Sequence, residues 1–386
     1  MTITHVPVAI IRGGTSKGVY FRTDDVPPPG PERDALILAV MGSGEPRQVD
    51  GLGGADVLTS KIAIVGPSSR PDADVDYTFG QVGIERLFIS WAENCGNISS
   101  GVGVFAMLRG LVTPREPETV VRVHNLNTGK VIVLRVPVQG GEPLVDGDFA
   151  VAGVPGTGAE IRMDFSQTAG GMTGAILPTG SPSDDLDVPE LGRTIRVSIV
   201  DVANAAVFFH ARDVGLKGTE GPAEFTPEVL ERFLHIQLAA AKVTGMAPEN
   251  GFPRPIAVAE PQPYADYMTG ATIRAEDVDM LGRRVILPPP RLHKAFAGTG
   301  ATCTAVASRL EGTVVHEVTR QSDDLTFRLG HPTGVFPLRV DVRDGEILEA
   351  SFSRTARLLF DGSTLCRLPA PDDVTRDRTD VEATPA

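Results

Sequence analysis

Short apolar runs broken by glycine and proline fill most of the chain, and they predict many strands and few helices. Residues 5–11 (HVPVAII) and 18–22 (GVYFR) read as two strands around the turn RGGTS. Residues 31–42 (PERDALILAVMG) have helical spacing instead, with Leu36, Leu38, Val40 and Met41 behind an acidic, proline-led start. A glycine-rich loop, DGLGGADVLTSK (50–61), leads into the strand IAIVG (62–66), and 75–84 and 87–91 alternate like further strands. After ENCGN, residues Ile98, Val102, Phe105 and Leu108 recur at helical spacing up to Gly110, a helix closed by a glycine. Strands are expected again at 119–126, 130–138 and 160–166.

The second half opens with two strands in 194–211 around DVANA. Thr226, Pro227 and Gly245 mark 226–245 as a helix with an N-cap, a first-turn proline and a terminal glycine, and 253–260 reads as a strand. Residues 293–312 (HKAFAGTGATCTAVASRLEG) then repeat the order strand, glycine loop, helix found around Cys95. Laying one stretch over the other puts Cys95 on Ala297, Gly96 on Gly298 and Asn97 on Thr299. Two loops of this kind predict two similar halves facing each other across a cleft. The expected division is 1–183 and 184–370, with the last strand able to return to the first half, and a disordered polar tail over 371–386.

Composition narrows the function classes. At 386 residues the chain exceeds one ordinary core. Its 36 Lys+Arg against 49 Asp+Glu give a net charge of −13, which repels nucleic acid and anionic membrane, so neither partner is expected. An anionic substrate would need a local site of a few cations and backbone N–H groups. Cys95, Cys303 and Cys366 lie far apart with no C-x-x-C, and the seven histidines are scattered singly, so neither a disulfide framework nor a metal site is expected. No run approaches the ~18–20 apolar residues of a membrane span. The opening MTITHVPVAIIRGG reads as a strand rather than a signal peptide, which points to a reducing cytoplasm.

Several motifs carry chemistry on inspection, and two do not hold. RGGTSKG (12–18) fails the phosphate-loop pattern because Ser16 precedes Lys17. GVGVFA (101–106) matches G-x-G-x-x-A, but its glycines fall inside the predicted helix and not after a strand, so no nucleotide cofactor is implied. Cys95 reads differently. Core filling is the default for a lone cysteine, yet Asn94 and Asn97 flank this one with polar groups and Gly96 lets a ligand approach the backbone. The helix that follows offers N–H groups and a positive dipole end, a setting that favours thiolates and binds carboxylates. Cys303 and Cys366 are expected to be structural. Lys61 sits where the glycine loop enters an apolar strand, and a lysine held away from water there can act as a general base. Arg12, Lys17 and Arg47 lie in Gly/Ser/Thr loops, as an anion-binding rim would require.

Taken together, RGGTSKG, MGSGEPRQVDGLGGADVLTSK, NCGN and HKAFAGTGATC resemble the family of methylaconitate cis–trans isomerases and 4-oxalomesaconate tautomerases, with the match spread over residues 6–360. The resemblance implies a diaminopimelate-epimerase-like fold of class α/β (α+β). Two pseudo-symmetric domains, each a mostly antiparallel sheet rolled around a central helix, would flank the active site, and homodimers are common for this fold. The epimerases use two cysteines, one per domain, and no cofactor. Cys95 matches the first, while the second motif reads Ala297-Gly298-Thr299-Gly300, which excludes a two-thiol mechanism. Gly298, Thr299 and Gly300 would remain as a carboxylate cradle.

In the isomerase branch the partner is the lysine of a TSK motif, here Ser60-Lys61. The implied reaction is a cofactor-independent 1,3-allylic proton shift on an unsaturated tri- or dicarboxylate. Lys61 would remove the proton and Cys95 deliver one. Thr15, Ser16, Lys17, Ser60, Asn94, Gly96 and Asn97 would contact the substrate, and Asn204 takes the place of an epimerase substrate contact. GGADVLTSK looks closer to the 4-oxalomesaconate isomerases of aromatic ring-cleavage pathways, with 2-methylaconitate or aconitate as the alternative. A non-catalytic small-anion-binding protein on the same fold is a different class, and it would need neither the thiol nor the lysine.

Overall fold

The computed structural model describes residues 3–91, 94–151, 153–287 and 289–367, so the expected tail at 371–386 lies outside the described residues. The chain forms two compact units, Met1–Arg162 with Arg354–Ala386, and Met163–Ser353.

In the first unit β1 (Ile3–Gly13) turns back through Gly14 and Thr15 into β2 (Ser16–Arg22), and its other edge pairs with the strand Ala356–Arg367. β2 runs parallel to β3 (Lys61–Pro67), and β3 is antiparallel to β4 (Val75–Val82). β4 runs parallel to Glu118–Asn125, which pairs antiparallel with Lys130–Gln139. Helix α1 (Pro31–Met41) connects β2 to β3 and buries Leu36, Ile37, Leu38, Val40 and Met41 against Val6, Val8, Phe21 and Ile64. Its chain stop is Gly42, in the left-handed region at φ 66°.

Helix α2 (Gly96–Leu108) runs through the middle of this unit and packs on β1, β2, β3, β4 and the strands 118–125, 130–139 and 356–367. Strand on nearly every side is why the sequence there is small. A Cβ on Gly101 would lie 2.4 Å from the Tyr20 hydroxyl, and one on Gly103 2.8 Å from Val136. The glycines of GVGVFA therefore serve close packing, in line with their place inside a helix.

The second unit repeats this order. Asp184–Val188 pairs antiparallel with Arg193–Val202, which turns into Asn204–His210. That strand runs parallel to Arg254–Ala259, which is antiparallel to Met280–Ile286. Met280–Ile286 is parallel to Thr326–His331, itself antiparallel to Gly334–Arg343. Helix α3 (Pro227–Thr244) stands where α1 stood, with Thr226 accepting from the Val229 N–H and Gly245 at φ 68° as read from sequence. Its Val229, Phe233, Ile236 and Ala240 pack on Ile199, Val207 and Phe209, the rings of Phe209 and Phe233 edge-on at 5.1 Å. Helix α4 (Gly298–Ala307) stands where α2 stood, followed by the short α5 (Val314–Val318). The strand expected just ahead of the second glycine loop is only Arg291–Leu292. This is the diaminopimelate-epimerase-like fold, mixed α/β and mostly sheet.

Because both units follow one strand order, their positions can be matched by register without reference to sequence similarity. The hairpins close on Gly13↔Ser16 and Val202↔Asn204, so Ser16 matches Asn204. The parallel pairs Gly18↔Lys61 and Ala206↔Arg254 then match Lys61 with Arg254.

Candidate active site

Cys95 is the N-cap of α2, half-buried, with extended backbone at φ −123° and ψ 103°. Its carbonyl accepts from the Ser99 N–H at 2.9 Å and the Ser99 hydroxyl at 3.0 Å. Ser99 also donates to Asn94 Oδ1 at 3.2 Å, and Asn125 Nδ2 donates to the same oxygen at 3.1 Å. The Asn94 side-chain oxygen is thus engaged in holding the cap. Gly96 and Asn97 open the helix, whose first N–H groups have no intrahelical acceptor.

The turn between β1 and β2 lies directly on this first helical turn. A Cβ on Gly13 would fall 2.1 Å from the Asn97 carbonyl oxygen, and one on Gly14 2.3 Å from Asn97 Oδ1. Asn97 Nδ2 donates to Thr15 Oγ1 at 2.9 Å and to Ser16 Oγ at 3.4 Å. On its other side Asn97 Oδ1 accepts from Arg354 Nε at 2.9 Å. Burial lowers the Arg354 guanidinium to about 9, against the opposing pull of the Cys95 sulfur, so it is still a cation at neutral pH.

Of the three cations expected to form an anion rim, Arg12 and Lys17 line one cavity and Arg47 does not. Arg12 Nη1 donates to the carbonyls of Gly14 and Thr355 and to Thr355 Oγ1, so it braces the turn. Arg47 is 77% exposed and pairs with Glu45 at 3.1 Å. Lys17 has no ion-pair partner among the described residues. With Thr15, Ser16, Thr59 and the Gly153-Val154-Pro155 segment it lines a cavity of about 270 Å³. A Cβ on Gly54 would lie 3.4 Å from Lys17 Nζ, so the glycine loop closes over this side chain.

Lys61 is the first residue of β3 and only 7% exposed. Its Nζ donates to Gln81 Oε1 at 2.5 Å and stands 5.3 Å from the Phe79 ring centre. Gln81 Nε2 donates to the carbonyls of Ser60 at 2.9 Å and Val57 at 3.2 Å, which fixes the amide with its oxygen toward the lysine. No carboxylate pairs with Lys61 among the described residues. Gly18 joins this strand to the start of α2: a Cβ there would meet Ile98 Cδ1 at 2.9 Å and the Lys61 carbonyl at 3.2 Å. Ser60, expected as a substrate contact, is fully buried and donates to Gln48 Oε1 at 2.5 Å, holding the loop instead.

Gln81→Met removes the lysine's acceptor at nearly constant volume. It is expected to lower kcat about 10–100-fold with little change in KM, through loss of side-chain placement. Steady-state kinetics check this, and an unchanged kcat would mean that the amide does not place Lys61.

In the second unit Asn204 Nδ2 donates to Thr299 Oγ1 at 3.0 Å, at the start of α4. The amide–hydroxyl pair of the first unit recurs with its partners exchanged: there the helix carries the amide (Asn97) and the strand the hydroxyl (Ser16). Gly298 is closed in by Phe352, 2.4 Å from a Cβ built there, while Gly300 meets nothing nearer than 3.4 Å. The positions that match Cys95 and Lys61 hold other residues. Ala297 caps α4 in place of Cys95, and Arg254, matching Lys61, donates to the Leu287 carbonyl at 2.6 Å and stacks on Phe252 at 4.0 Å. Cys303 is buried and donates to the Val200 carbonyl, its thiol pushed up by burial; Cys366 lies in the first unit's core. Both thiols are buried. No group of three or more metal-ligating side chains occurs among the described residues.

The whole described length, residues 3–367, matches the family model described as PrpF protein. The chain belongs to the PrpF protein family. This PrpF chain is 44% identical over 368 residues to the 3-methylitaconate isomerase of Eubacterium barkeri, covering 92% of this chain and 96% of the relative. It is 37% identical over 365 residues to the 4-oxalomesaconate tautomerase of Pseudomonas putida, with 93% and 95% covered. The crystal structure of methylitaconate-delta-isomerase superposes with a TM-score of 0.85 at 44% identity, covering 95% and 96% of the two chains. A hydroxyproline epimerase from Agrobacterium vitis, 12% identical over 96% and 94% of the chains, shares the fold at a TM-score of 0.53. PrpF proteins of this kind are isomerases. Two groups that hold the candidate residues of this PrpF chain, Gln81 on Lys61 and Arg354 on Asn97, carry no motif in the sequence. Gln81 is found only through strand register and Arg354 only through a contact spanning 257 residues.

Proposed function

We propose that this protein moves a double bond within an unsaturated di- or tricarboxylate by a 1,3-allylic proton shift, with Lys61 and Cys95 as its proton carriers. One observation carries the reading. The two side chains able to exchange a proton stand in the first unit, and the matching positions of the second unit hold Arg254 and Ala297, which cannot. One carrier takes the allylic proton, and the electron pair spreads over three carbons into the adjacent carboxyl or keto group. The other carrier gives a proton to the far carbon, so the product has the formula of the substrate. The N–H groups opening α2, with Thr15, Ser16 and Lys17, hold the developing negative charge. Each well-aimed donor of this kind is worth roughly 3 kcal/mol of barrier. In the second unit Thr299, Asn204 and the N–H groups of Gly298 and Gly300 form a further carboxylate cradle.

For the substrate, 44% identity to a 3-methylitaconate isomerase against 37% to a 4-oxalomesaconate tautomerase favours a methyl-branched unsaturated dicarboxylate. The 4-oxalomesaconate suggested by GGADVLTSK is the second reading. Proton NMR in D2O with 3-methylitaconate, 4-oxalomesaconate, 2-methylaconitate and cis- and trans-aconitate decides between them. The expected result is transposition of one acid with deuterium at the new C–H. If all five stay unchanged with folded protein, the isomerase reading fails. Quenching of Trp91 fluorescence by one of these acids in that case would indicate an anion-binding protein.

A further inference from the structure

The second unit holds a cavity that the proposed chemistry does not use. Its volume is about 270 Å³, and it lies off the carboxyl ends of the parallel strands Asn204–His210 and Arg254–Ala259. Strand ends of this kind commonly receive ligands in α/β sheets. Asn204 stands at the opposite end of its strand, roughly 20 Å away at about 3.3 Å per residue. Leu216, Val258 and Ala259 give the cavity an apolar wall, and Arg212, Lys217 and Glu260 bring charge to it. The Leu216 N–H donates to the Ala211 carbonyl at 2.9 Å and Gln262 Nε2 to the Lys217 carbonyl at 3.1 Å, so the backbone carrying the lysine is fixed on both sides.

The other charges near the cavity are accounted for. Glu220 accepts from the N–H groups of Lys217 at 2.6 Å and Gly218 at 2.8 Å, and Glu317 pairs with Arg196 at 2.7 Å. His210 stands 3.5 Å from Glu317, and burial, with Arg212 next, lowers its imidazole below the ordinary value, so it is uncharged at neutral pH. Among the described residues the side chains of Arg212, Lys217 and Glu260 have no hydrogen-bond or ion-pair partner. Two positive charges and one negative therefore line a common space.

The register match shows what the first unit holds in the same place. His210 and Arg212 match Arg22 and Asp24, which pair at 3.0 Å, and Glu260 matches Pro67. Ala211 and Ala259 match Thr23 and Gly66, and a Cβ on Gly66 would lie 2.4 Å from Thr23 Oγ1. The first unit thus fills this corner with a threonine and closes its charges on each other. In the second unit two alanines leave room and the charges stay open.

We infer that this cavity is a second ligand site, built for an acidic amino acid whose two carboxylates take Arg212 and Lys217 and whose ammonium takes Glu260. Charge complementarity selects that class. Two negative groups and one positive neutralise the lining in full, whereas a plain dicarboxylate leaves Glu260 facing like charge and a neutral amino acid leaves one cation unmatched. The short methylene stem of such a ligand suits the wall of Leu216, Val258 and Ala259, and a cavity just under the usual range for drug-sized ligands suits a small metabolite.

The test is isothermal titration calorimetry of the full chain with L-aspartate and L-glutamate. Succinate, which lacks the ammonium, and L-alanine, which lacks the second carboxylate, are titrated beside them. Saturable binding of aspartate or glutamate, tighter than that of alanine, is expected. Arg212→Met should weaken the tighter-binding of the two about tenfold or more, the usual loss for a hydrogen bond to a charged group. Glu260→Gln should weaken it similarly without weakening succinate, a split that a folding defect cannot produce. Lys17→Met, in the first unit's cavity, should leave it unchanged. The inference is overturned if neither amino acid binds saturably, or if binding is indifferent to both Arg212→Met and Glu260→Gln. Binding lost in Lys17→Met and kept in the other two variants would place the acid at the candidate active site, which overturns it as well. These titrations need no turnover, so they decide the second site whatever acid the chain isomerises and whichever side chains carry its protons.

Discussion

Lys61→Met is expected to stop double-bond transposition, lowering kcat by about 10²–10⁴, the usual worth of one positioned proton carrier. Methionine fits the buried site between Gln81 and Phe79, so KM should hold. The Gln81 oxygen loses its donor, at a cost of about 1–3 kcal/mol of stability. The labelling pattern in D2O carries more information than the rate. With Cys95 as base, Lys61→Met still lets the abstracted hydrogen exchange with solvent, whereas Cys95→Ala stops exchange and transposition together. The reverse pattern would make Lys61 the base. Because both side chains serve one proton path, the double variant should be no slower than Cys95→Ala alone. A multiplicative loss would show that the two act in separate steps.

Gly13→Ala is expected to damage the site more than any other single added methyl group. The new Cβ would meet the Asn97 carbonyl oxygen at 2.1 Å and Ser100 Oγ at 2.8 Å. The first of these is helix backbone and cannot rotate away. Relief requires α2 to move off the turn, which breaks the Asn97 bonds to Thr15 and Ser16 together with the packing. Overpacking of this kind costs about 1–3 kcal/mol or more. Urea unfolding measures that loss, and steady-state kinetics should show KM rising beside it. Retention of both wild-type stability and KM would mean that turn and helix need not touch for binding.

Much of this was readable in the amino-acid pattern, and the exceptions share a cause. Helices α1 and α3 announce themselves through local chemistry: a proline in the first turn, Thr226 as cap, and glycines 42 and 245 in the left-handed region. Cys95 and Lys61 stand in short motifs whose neighbours already look unusual. Ser60 looked like a ligand contact because it adjoins Lys61, but it turns into the loop toward Gln48. Arg12 and Arg47 are cations in glycine loops, as Lys17 is, and only tertiary contacts separate a brace, a surface pair and an open charge. Arg354 lies too far along the chain for any local pattern to connect it with Asn97. The duplication was visible only in its two glycine loops, because a shared strand order leaves no sequence signal once the side chains have diverged.

The pairing of β1 with the strand 356–367 also sets when this protein can begin to work. Arg12 waits for Thr355, and Asn97 for Arg354, across separations of 343 and 257 residues. At cellular synthesis rates the first strand emerges roughly 20–70 s before its neighbour exists. During that interval Val6 and Val8 lack half of their sheet, and the turn above Cys95 has no brace. A nascent or truncated chain ending before residue 354 can hold Lys61 and Cys95 and still be inert, so activity itself certifies that synthesis has passed the strand 356–367.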